Sequence, residues 1–458
     1  MTNSINKGGA TAGRLLRLAV LLTTTAAPFA IAMPAYAQQN QASLRGTITT
    51  TADNPVQAVT AVEINTGYRR NATIDETGAY NLPALRPGTY RLELTLANGT
   101  RNTDPITLSV GQNAGLDIDL TTTASDTGAA TAPTPETGAA DDTPGARADD
   151  IIVTANSIKT LQGGEVGALI SQRLIQQLPQ NNRNFLAFAE LAPGVQFVQG
   201  ANGDSRIQGG AQDSRTVNIF IDGVSQKDYV LKNGITGQDS SQGNPFPQLA
   251  VGEYRVISSN YKAEFDQVSS VAITAVTKSG TNQFHGEGFI DYTDQSLRDA
   301  RPIELFGTAP GKVKTRDFQF GGALGGPIIK DKMHFFVTYE GKRQQIPVDI
   351  QPGNGTAISS LPTQYQGIFG STNRNFNEDL YFGKIDIVPT DADLIEFTGK
   401  YRKETSVSLN SGSNAQSTAT DTKLDEKRAS ARWQHTGDAF VNDLTLSYED
   451  VSWAPTPR

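Results

Sequence analysis

Apolar and polar residues alternate with a period of two along two long stretches of this chain, the mark of strands with one face buried differently from the other. Between residues 42 and 120 the alternating runs are short: Ser43–Thr49, Ala58–Asn65, Tyr68–Ile74, Tyr80–Leu82, Gly88–Leu96 and Ile106–Val110. Asp75-Glu76-Thr77-Gly78 and Arg86-Pro87-Gly88 separate them with turn-forming residues. In one run Tyr90, Leu92, Leu94 and Leu96 share a face, and Arg91, Glu93 and Thr95 share the other. Short strands at roughly ten-residue spacing predict a β-sandwich. From residue 284 the runs lengthen: Phe284–Tyr292, Arg316–Ile329, Met333–Arg343, Leu380–Val388, Leu394–Lys403, Ala429–His435 and Val441–Val451. Phe335, Val337 and Tyr339 oppose His334, Thr338 and Glu340; Ile395, Phe397 and Tyr401 oppose Glu396, Lys400 and Arg402; Leu444, Leu446 and Tyr448 oppose Thr445, Ser447 and Glu449. Strands of ~9–11 residues with one oily and one charged face predict a transmembrane antiparallel β-barrel. Lys330-Asp331-Lys332 and Asp391-Ala392-Asp393 read as tight turns, and residues 344–379 and 404–428 as long polar loops. Short turns at one rim and long loops at the other predict periplasmic and extracellular ends. The plainer alternative is a soluble sandwich with a polar outer face.

The stretch between these regions has a different texture. Residues 121–148 contain only Thr, Ala, Ser, Asp, Gly, Pro, Glu and Arg, which predicts a disordered linker. It gives way abruptly to Asp149-Asp150-Ile151-Ile152-Val153-Thr154-Ala155. This apolar pentad reads either as the first strand of the next domain or as an extended peptide that pairs with the edge strand of a partner. Residues 156–283 predict a compact α+β unit. Ile170, Leu174 and Leu178 fit a short helix ended by Pro179, and Phe185, Phe188, Ala189 and Leu191 fit a second, stopped by Pro193-Gly194. Strands are predicted at Val217–Ile221, Tyr254–Ser258 and Ser270–Thr277.

The N-terminus sets the compartment. Lys7, Arg14 and Arg17 precede a mostly apolar run, Leu18 to Ala32, and Ala35-Tyr36-Ala37 forms an AxA cleavage signature followed by Gln38. Residues 1–37 therefore read as a secretory signal peptide cleaved between Ala37 and Gln38. The apolar run is about 15 residues, shorter than the ~20 of a membrane anchor. Loss of the three positive charges would take the formal net charge of the 458-residue chain from −8 to −11. With no cysteine, a disulfide scaffold, a thiol nucleophile and a cysteine-held zinc are excluded. His285, His334 and His435 have no metal-ligand spacing, and the acidic balance argues against a nucleic-acid partner. No later segment is apolar enough for a membrane helix, so a membrane-embedded mature chain must use strands. Gly321-Gly322 and Gly325-Gly326 read as strand glycines that allow close packing, since no phosphate-loop Lys-Ser/Thr follows. His285 and Glu287 read as a polar strand face, and Asp222-Gly223 as a turn. No catalytic, cofactor or metal residues are expected, and the chain does not read as an enzyme.

Several strings resemble TonB-dependent outer-membrane receptors, specifically the Oar-like group with an N-terminal carboxypeptidase-regulatory-like domain. GAYNLPALRPGTYRLEL at 78–94 is similar to the signature of that prealbumin- or starch-binding-like sandwich. DDIIVTA at 149–155 resembles a TonB box, which implies that Asp150, Ile151, Ile152, Val153, Thr154 and Ala155 bind TonB of the inner-membrane energy-transducing complex. LPQNNRNFLAFAELAPGV at 178–195 and NIFIDGV at 218–224 resemble parts of a plug. YKAEFDQVSSVAITAVTKSGTNQFHGEGF at 261–289 resembles the end of the plug running into the barrel, and GGALGGPIIKDKMHFFVTYEG at 321–341 resembles a barrel hairpin. The expected organisation is mainly β: signal peptide 1–37, sandwich 38–120, linker 121–148, TonB box 149–155, plug 156–283 and an incomplete barrel 284–458. About seven strands are counted, whereas the resemblance implies 22, so roughly 375 further residues would be needed. The resemblance implies import of a scarce bulky nutrient, driven by TonB, across the outer membrane of a Gram-negative bacterium. The N-terminal domain would lie in the periplasm and the wall would contact outer-membrane lipid. A carbohydrate-binding sandwich and an adhesion or structural outer-membrane protein are the alternatives. The only aromatics available between residues 42 and 120 to stack on sugar are Tyr68, Tyr80 and Tyr90.

Overall fold

A computed structural model describes residues 40–458, except 52–53, 122–151, 154–158, 161–163, 181, 201–203, 229–240, 301–303, 306–311, 410–413 and 438–439. The expected signal cleavage site at Ala37 and Gln38 and nearly all of the 121–148 linker lie outside the described residues.

The first strands are β1 (Ala42–Thr49), β2 (Val56–Glu63), β3 (Arg69–Asn71), β4 (Thr73–Ile74), β5 (Ala79–Leu85), β6 (Gly88–Leu96), β7 (Gly99–Thr103), β8 (Ile106–Leu108), β9 (Asn113–Gly115) and β10 (Ile118–Asp119). They form two sheets that enclose one apolar core. Alternation works as expected in β6, where Tyr90, Leu92, Leu94 and Leu96 are buried. Tyr68 and Tyr80 are buried as well, so none of the three tyrosines offers a sugar-stacking platform. Two further short strands follow, β11 (Ile152–Val153) and β12 (Lys159–Thr160), and each adds to one sandwich sheet.

The middle unit contains β13 (Val166–Ile170), β14 (Val195–Gln199), β15 (Ser205–Gly209), β16 (Asn218–Ile221), β17 (Val224–Ser225), β18 (Val251–Ser259) and β19 (Ala272–Thr277). Five of them form a sheet in the order β13-β18-β19-β16-β17. Helix α1 (Gln172–Gln177) is shorter than the expected helix and turned differently. Ile170 ends β13, the Ser171 hydroxyl caps the helix, Ile175 is the buried helical residue and Leu178 is exposed. A strand-ending Ile and a helix share the four-residue spacing, which is why periodicity alone merged them. Residues Phe185–Leu191 form a 3-10 turn in which Phe185, Leu186, Phe188 and Ala189 are buried, while Leu191 is exposed. Asp222 and Gly223, both at positive φ, form the two-residue turn between β16 and β17.

The remaining strands are β20 (His285–Asp294), β21 (Arg316–Ile329), β22 (Met333–Ile350), β23 (Gly370–Thr390), β24 (Asp393–Ser408), β25 (Thr420–Thr436) and β26 (Val441–Pro457). They pair antiparallel in chain order as a seven-stranded wall with β20 and β26 at its edges. All seven expected runs fall in this wall. Most are longer than expected, up to 21 residues in β23, because polar alternation carries the hairpins on past the apolar band. The long connections therefore shrink to residues 351–369 and 409–419.

Burial along the wall is inverted relative to a soluble sheet. Phe397 and Val337 are 47% and 45% exposed, whereas Glu396, Arg402, Glu340 and Thr338 are buried. The apolar face points away from the protein and the charged face points into it, as lipid outside and protein inside require. In β26 the polar face is open too, and Thr445 and Ser447 are exposed. On the outer face an aromatic row crosses five strands through Tyr292, Phe318, Phe320, Tyr339, Tyr381 and Tyr401, with neighbouring ring centroids 4.8–6.0 Å apart. Its hydroxyls donate to carboxylates, Tyr339 to Asp379 at 2.7 Å and Tyr401 to Asp425 at 2.9 Å, which suits rings with one apolar and one wet end. A charge at Phe397, below this row, should be costly: Phe397→Arg is expected to destabilise folding into lipid vesicles by about 2–4 kcal/mol. Urea titration in vesicles measures this, and a neutral effect would contradict a lipid-facing position.

Candidate functional site

Two arrangements carry functional weight: the join between the middle unit and the wall, and the strand β11. The join begins with side chains that alternation turns inward from β22 to β25. A charge taken out of water is unfavourable unless it is paired and hydrogen-bonded. Near the short-turn end Glu396 is the hub. Lys384 lies 3.0 Å from it, Arg432 3.0 Å and Arg86 of the sandwich 3.5 Å. Lys384 also reaches Asp222 of the middle unit at 3.5 Å. The Asp222 carboxylate accepts from the Thr277 backbone N–H at 2.9 Å and from the Thr277 hydroxyl at 2.5 Å. Asp222 is thus both the turn residue that was expected and an anchor between sheet and wall.

Further along the strands the wall bonds to the backbone of the segment 241–250. Glu378 accepts from the Asn244 N–H at 2.7 Å and Glu340 from the Leu249 N–H at 2.5 Å. Lys400 donates to the Pro245 carbonyl at 3.0 Å, while its charge is matched by Glu426 at 2.5 Å. Arg402 lies 2.5 Å from Glu404 and donates to the Ser241 hydroxyl at 2.9 Å. Phe246 packs on Phe382 with ring centroids 5.1 Å apart. These contacts hold the segment by fixed geometry while leaving its backbone groups satisfied.

The sandwich is seated at the short-turn end. Arg86 donates to the Ser279 hydroxyl and lies 3.4 Å from Asp386. Arg70 donates to the Ala392 carbonyl at 3.3 Å, and Gln434 to the Ala84 carbonyl at 2.8 Å. Val388 and Leu394 of the wall join the sandwich's apolar core. The Val110 N–H donates to Glu253 of β18. Burial pushes the Glu253 carboxyl up to about 7, against the pull of the Val110 N–H and the Ser109 hydroxyl. Sandwich, middle unit and wall together line a cavity of about 490 Å³ that includes Arg86, Glu253, Lys278 and Glu396. No group of His, Asp and Glu able to hold a metal ion is found among the described residues.

Of the residues expected to bind TonB, Ile152 and Val153 form β11, while Asp150, Ile151, Thr154 and Ala155 lie outside the described residues. β11 runs parallel to β7, with Ile152 opposite Asn102 and Val153 opposite Thr103. The sandwich strand that receives it was not predicted, because Gly99-Thr100-Arg101-Asn102-Thr103 has no apolar alternation. The Glu396 network was also missed. Its signal was the run of charges on the inward faces of β22–β25, which the sequence assigned only to a polar face.

Residues 43–121 match the family described as Carboxypeptidase regulatory-like domain, and residues 276–367 match the Outer membrane beta barrel domain. With the inverted wall, these matches give the chain an N-terminal regulatory-like sandwich and strands of the outer-membrane β-barrel type. The chain is similar to the TonB-dependent transporter Oar of Myxococcus xanthus, at 28% identity over 293 residues, or 61% of this chain and 24% of Oar. Solved structures with a likeness to it include the outer membrane transporter YddB of Escherichia coli (14% identity, 62% of this chain and 39% of that one, TM-score 0.48). The siderophore receptor PirA of Pseudomonas aeruginosa is another (12% identity, 64% and 42%, TM-score 0.43). The chain thus spans well under half the length of these relatives.

Replacing the hub tests the join. Glu396→Ala leaves Lys384, Arg432 and Arg86 without their shared carboxylate, and a loss of about 3–5 kcal/mol is expected in denaturant titration of the detergent-solubilised protein. A change within 1 kcal/mol would contradict the role of the network.

Glu253 yields a pH dependence. Its folded value, about 7, lies above the ordinary 4.5, so between these values the folded chain keeps a proton that the unfolded chain has lost. The stabilisation is complete below about pH 4.5 and is lost as pH rises through about 7. The thermal midpoint should therefore fall from pH 5 to pH 8, and Glu253→Gln should flatten that fall.

Proposed function

We propose that this protein is a TonB-dependent outer-membrane transporter that imports a scarce, bulky nutrient by energised movement of the middle unit, which acts as its plug. The observation that carries the reading is the plugged wall: strands with lipid-type outer faces whose charged inner faces are filled by a separate α+β unit. A plugged pore passes nothing unless the plug shifts, and the outer membrane has no ATP supply of its own. Work must therefore arrive mechanically from the inner membrane. The segment Asp150, Ile151, Ile152, Val153, Thr154 and Ala155 suits that task, since an extended apolar strand binds a partner chiefly through main-chain hydrogen bonds. Export would use cleavage between Ala37 and Gln38, leaving the sandwich on the periplasmic side, where the short wall turns lie. The name of one relative supports the transporter reading: Oar is called a transporter. Burial of Tyr68, Tyr80 and Tyr90 counts against sugar binding by aromatic stacking in the sandwich.

Proline removes a main-chain donor and disturbs strand pairing. Ile152→Pro is therefore expected to abolish TonB-dependent uptake in cells expressing the full-length receptor, while surface binding of the transported nutrient persists. Undiminished uptake would overturn the box assignment.

A further inference from the structure

The lipid-facing side of the wall carries a groove that import does not call for. Alternation sets one row of outward residues level across four strands: Val337 lies opposite Gly383, Gly383 opposite Gly399, and Gly399 opposite Ala429. At this level β23, β24 and β25 offer almost no side chain to the membrane. Two residues nearer the long loops the next outward row is the reverse, with Tyr339 opposite Tyr381 and Tyr381 opposite Tyr401. Their ring centroids are 4.8 and 5.9 Å apart, which makes a continuous ridge. Between ridge and glycines runs a groove of about 760 Å³, with Leu324 and Val337 at one end. That volume falls within the ~300–1,000 Å³ of sites that hold small molecules. The protein's own packing does not demand the glycines. A Cβ at Gly399 would meet nothing within 4 Å, and one at Gly383 would come no nearer than 3.8 Å to Val337. A strand glycine forfeits side-chain packing, and one reason for it is close approach of a ligand to the backbone.

Charges begin beyond the ridge. Asp379 lies 2.6 Å from Arg343 and accepts from the Tyr339 hydroxyl, Asp425 accepts from the Tyr401 hydroxyl, and Lys427 lies 3.9 Å from Asp450. Lys403 sits between Asp379 and Asp425 in register, and Lys423 lies opposite Thr405. Both lysines are exposed, and neither makes an ion pair among the described residues. A lysine at a membrane edge lays its stem on apolar surface and holds its ammonium among the lipid heads, where it attracts anionic ones. Lys403 is four residues along β24 from Gly399, or about 14 Å. A lipid monolayer is roughly 20 Å deep with its heads, so one molecule spans both positions.

We propose that the groove and the two lysines form a binding site for an anionic, phosphate-bearing lipid of the leaflet on the long-loop side. One acyl chain lies along Gly383 and Gly399 under the tyrosines, and the phosphate sits at Lys403 and Lys423. The glycines select by shape and the lysines by charge, while the tyrosines turn ring faces to the chain and hydroxyls towards the heads.

Native mass spectrometry of the full chain, purified in mild detergent, reads the site directly. The probe is dioleoyl-phosphatidylglycerol, and dioleoyl-phosphatidylcholine is the zwitterionic competitor with the same chains. The chain should retain phosphatidylglycerol in preference to phosphatidylcholine by at least about tenfold. Gly399→Leu fills the groove and should cut retention at least about fivefold. Lys403→Gln with Lys423→Gln removes the cations and should bring retention of the two lipids level. Equal retention of both lipids by the parent chain overturns the proposal, as does parent-level retention in Gly399→Leu. Should Gly399→Leu not fold, the lysine variant decides alone, since both of its changes are on exposed side chains. An undiminished preference for phosphatidylglycerol in that variant overturns the site.

Discussion

The structure depends on one constraint: charges that alternation turns into the protein must each meet a partner there. β22 to β25 place Glu340, Lys342, Glu378, Lys384, Glu396, Lys400, Arg402, Glu404, Glu426 and Arg432 on a buried face. Left bare in a medium of low dielectric, such a face would be strongly unfavourable. Cross-strand neighbours neutralise part of it, as Lys400 with Glu426 and Lys384 with Glu396 do. The rest is met by the backbone of the middle unit, through Leu249, Asn244 and Pro245. Wall and middle unit thus complete each other. Apolar packing adds to these polar contacts, since Phe336 and Phe382 of the wall join the buried core of the middle unit.

The sandwich belongs to this scheme through Arg86, which shares Glu396 with Lys384 and Arg432. A single carboxylate therefore links the N-terminal domain, the wall and, through Lys384 and Asp222, the middle unit. Beside it, Glu253 receives the Val110 N–H from the sandwich. The N-terminal domain is accordingly seated by polar contacts at the mouth as well as by Val388 and Leu394.

Much of the fold was legible because period-two alternation is local. The wall strands were located by it, and their inverted burial follows from the same residues once lipid is taken as the outer medium. What local pattern could not supply was pairing at a distance. Glu396 and Arg86 are far apart in the chain, and nothing in the sequence near either one names the other. Strand lengths were underestimated because Thr420–Asp425 and Arg374–Asp379 each carry one apolar residue, Leu424 and Phe376, too few to show alternation until the neighbouring strand is known. β7 escaped notice for a related reason. An edge strand rich in polar residues has little apolar signal, and that same edge is what leaves it free to receive β11.

The central claim is the inverted wall, and site-directed spin labelling along β24 tests it most directly. Single cysteines at Leu394, Ile395, Phe397, Thr398 and Tyr401 would carry nitroxides in the protein folded in lipid vesicles. Alternation predicts high collision rates with oxygen, which concentrates in lipid, at Ile395, Phe397 and Tyr401. Leu394 and Thr398, which face the protein, should be shielded both from oxygen and from a water-soluble nickel chelate. Uniform accessibility along the strand, or chelate access at Phe397 with shielding from oxygen, would contradict the account.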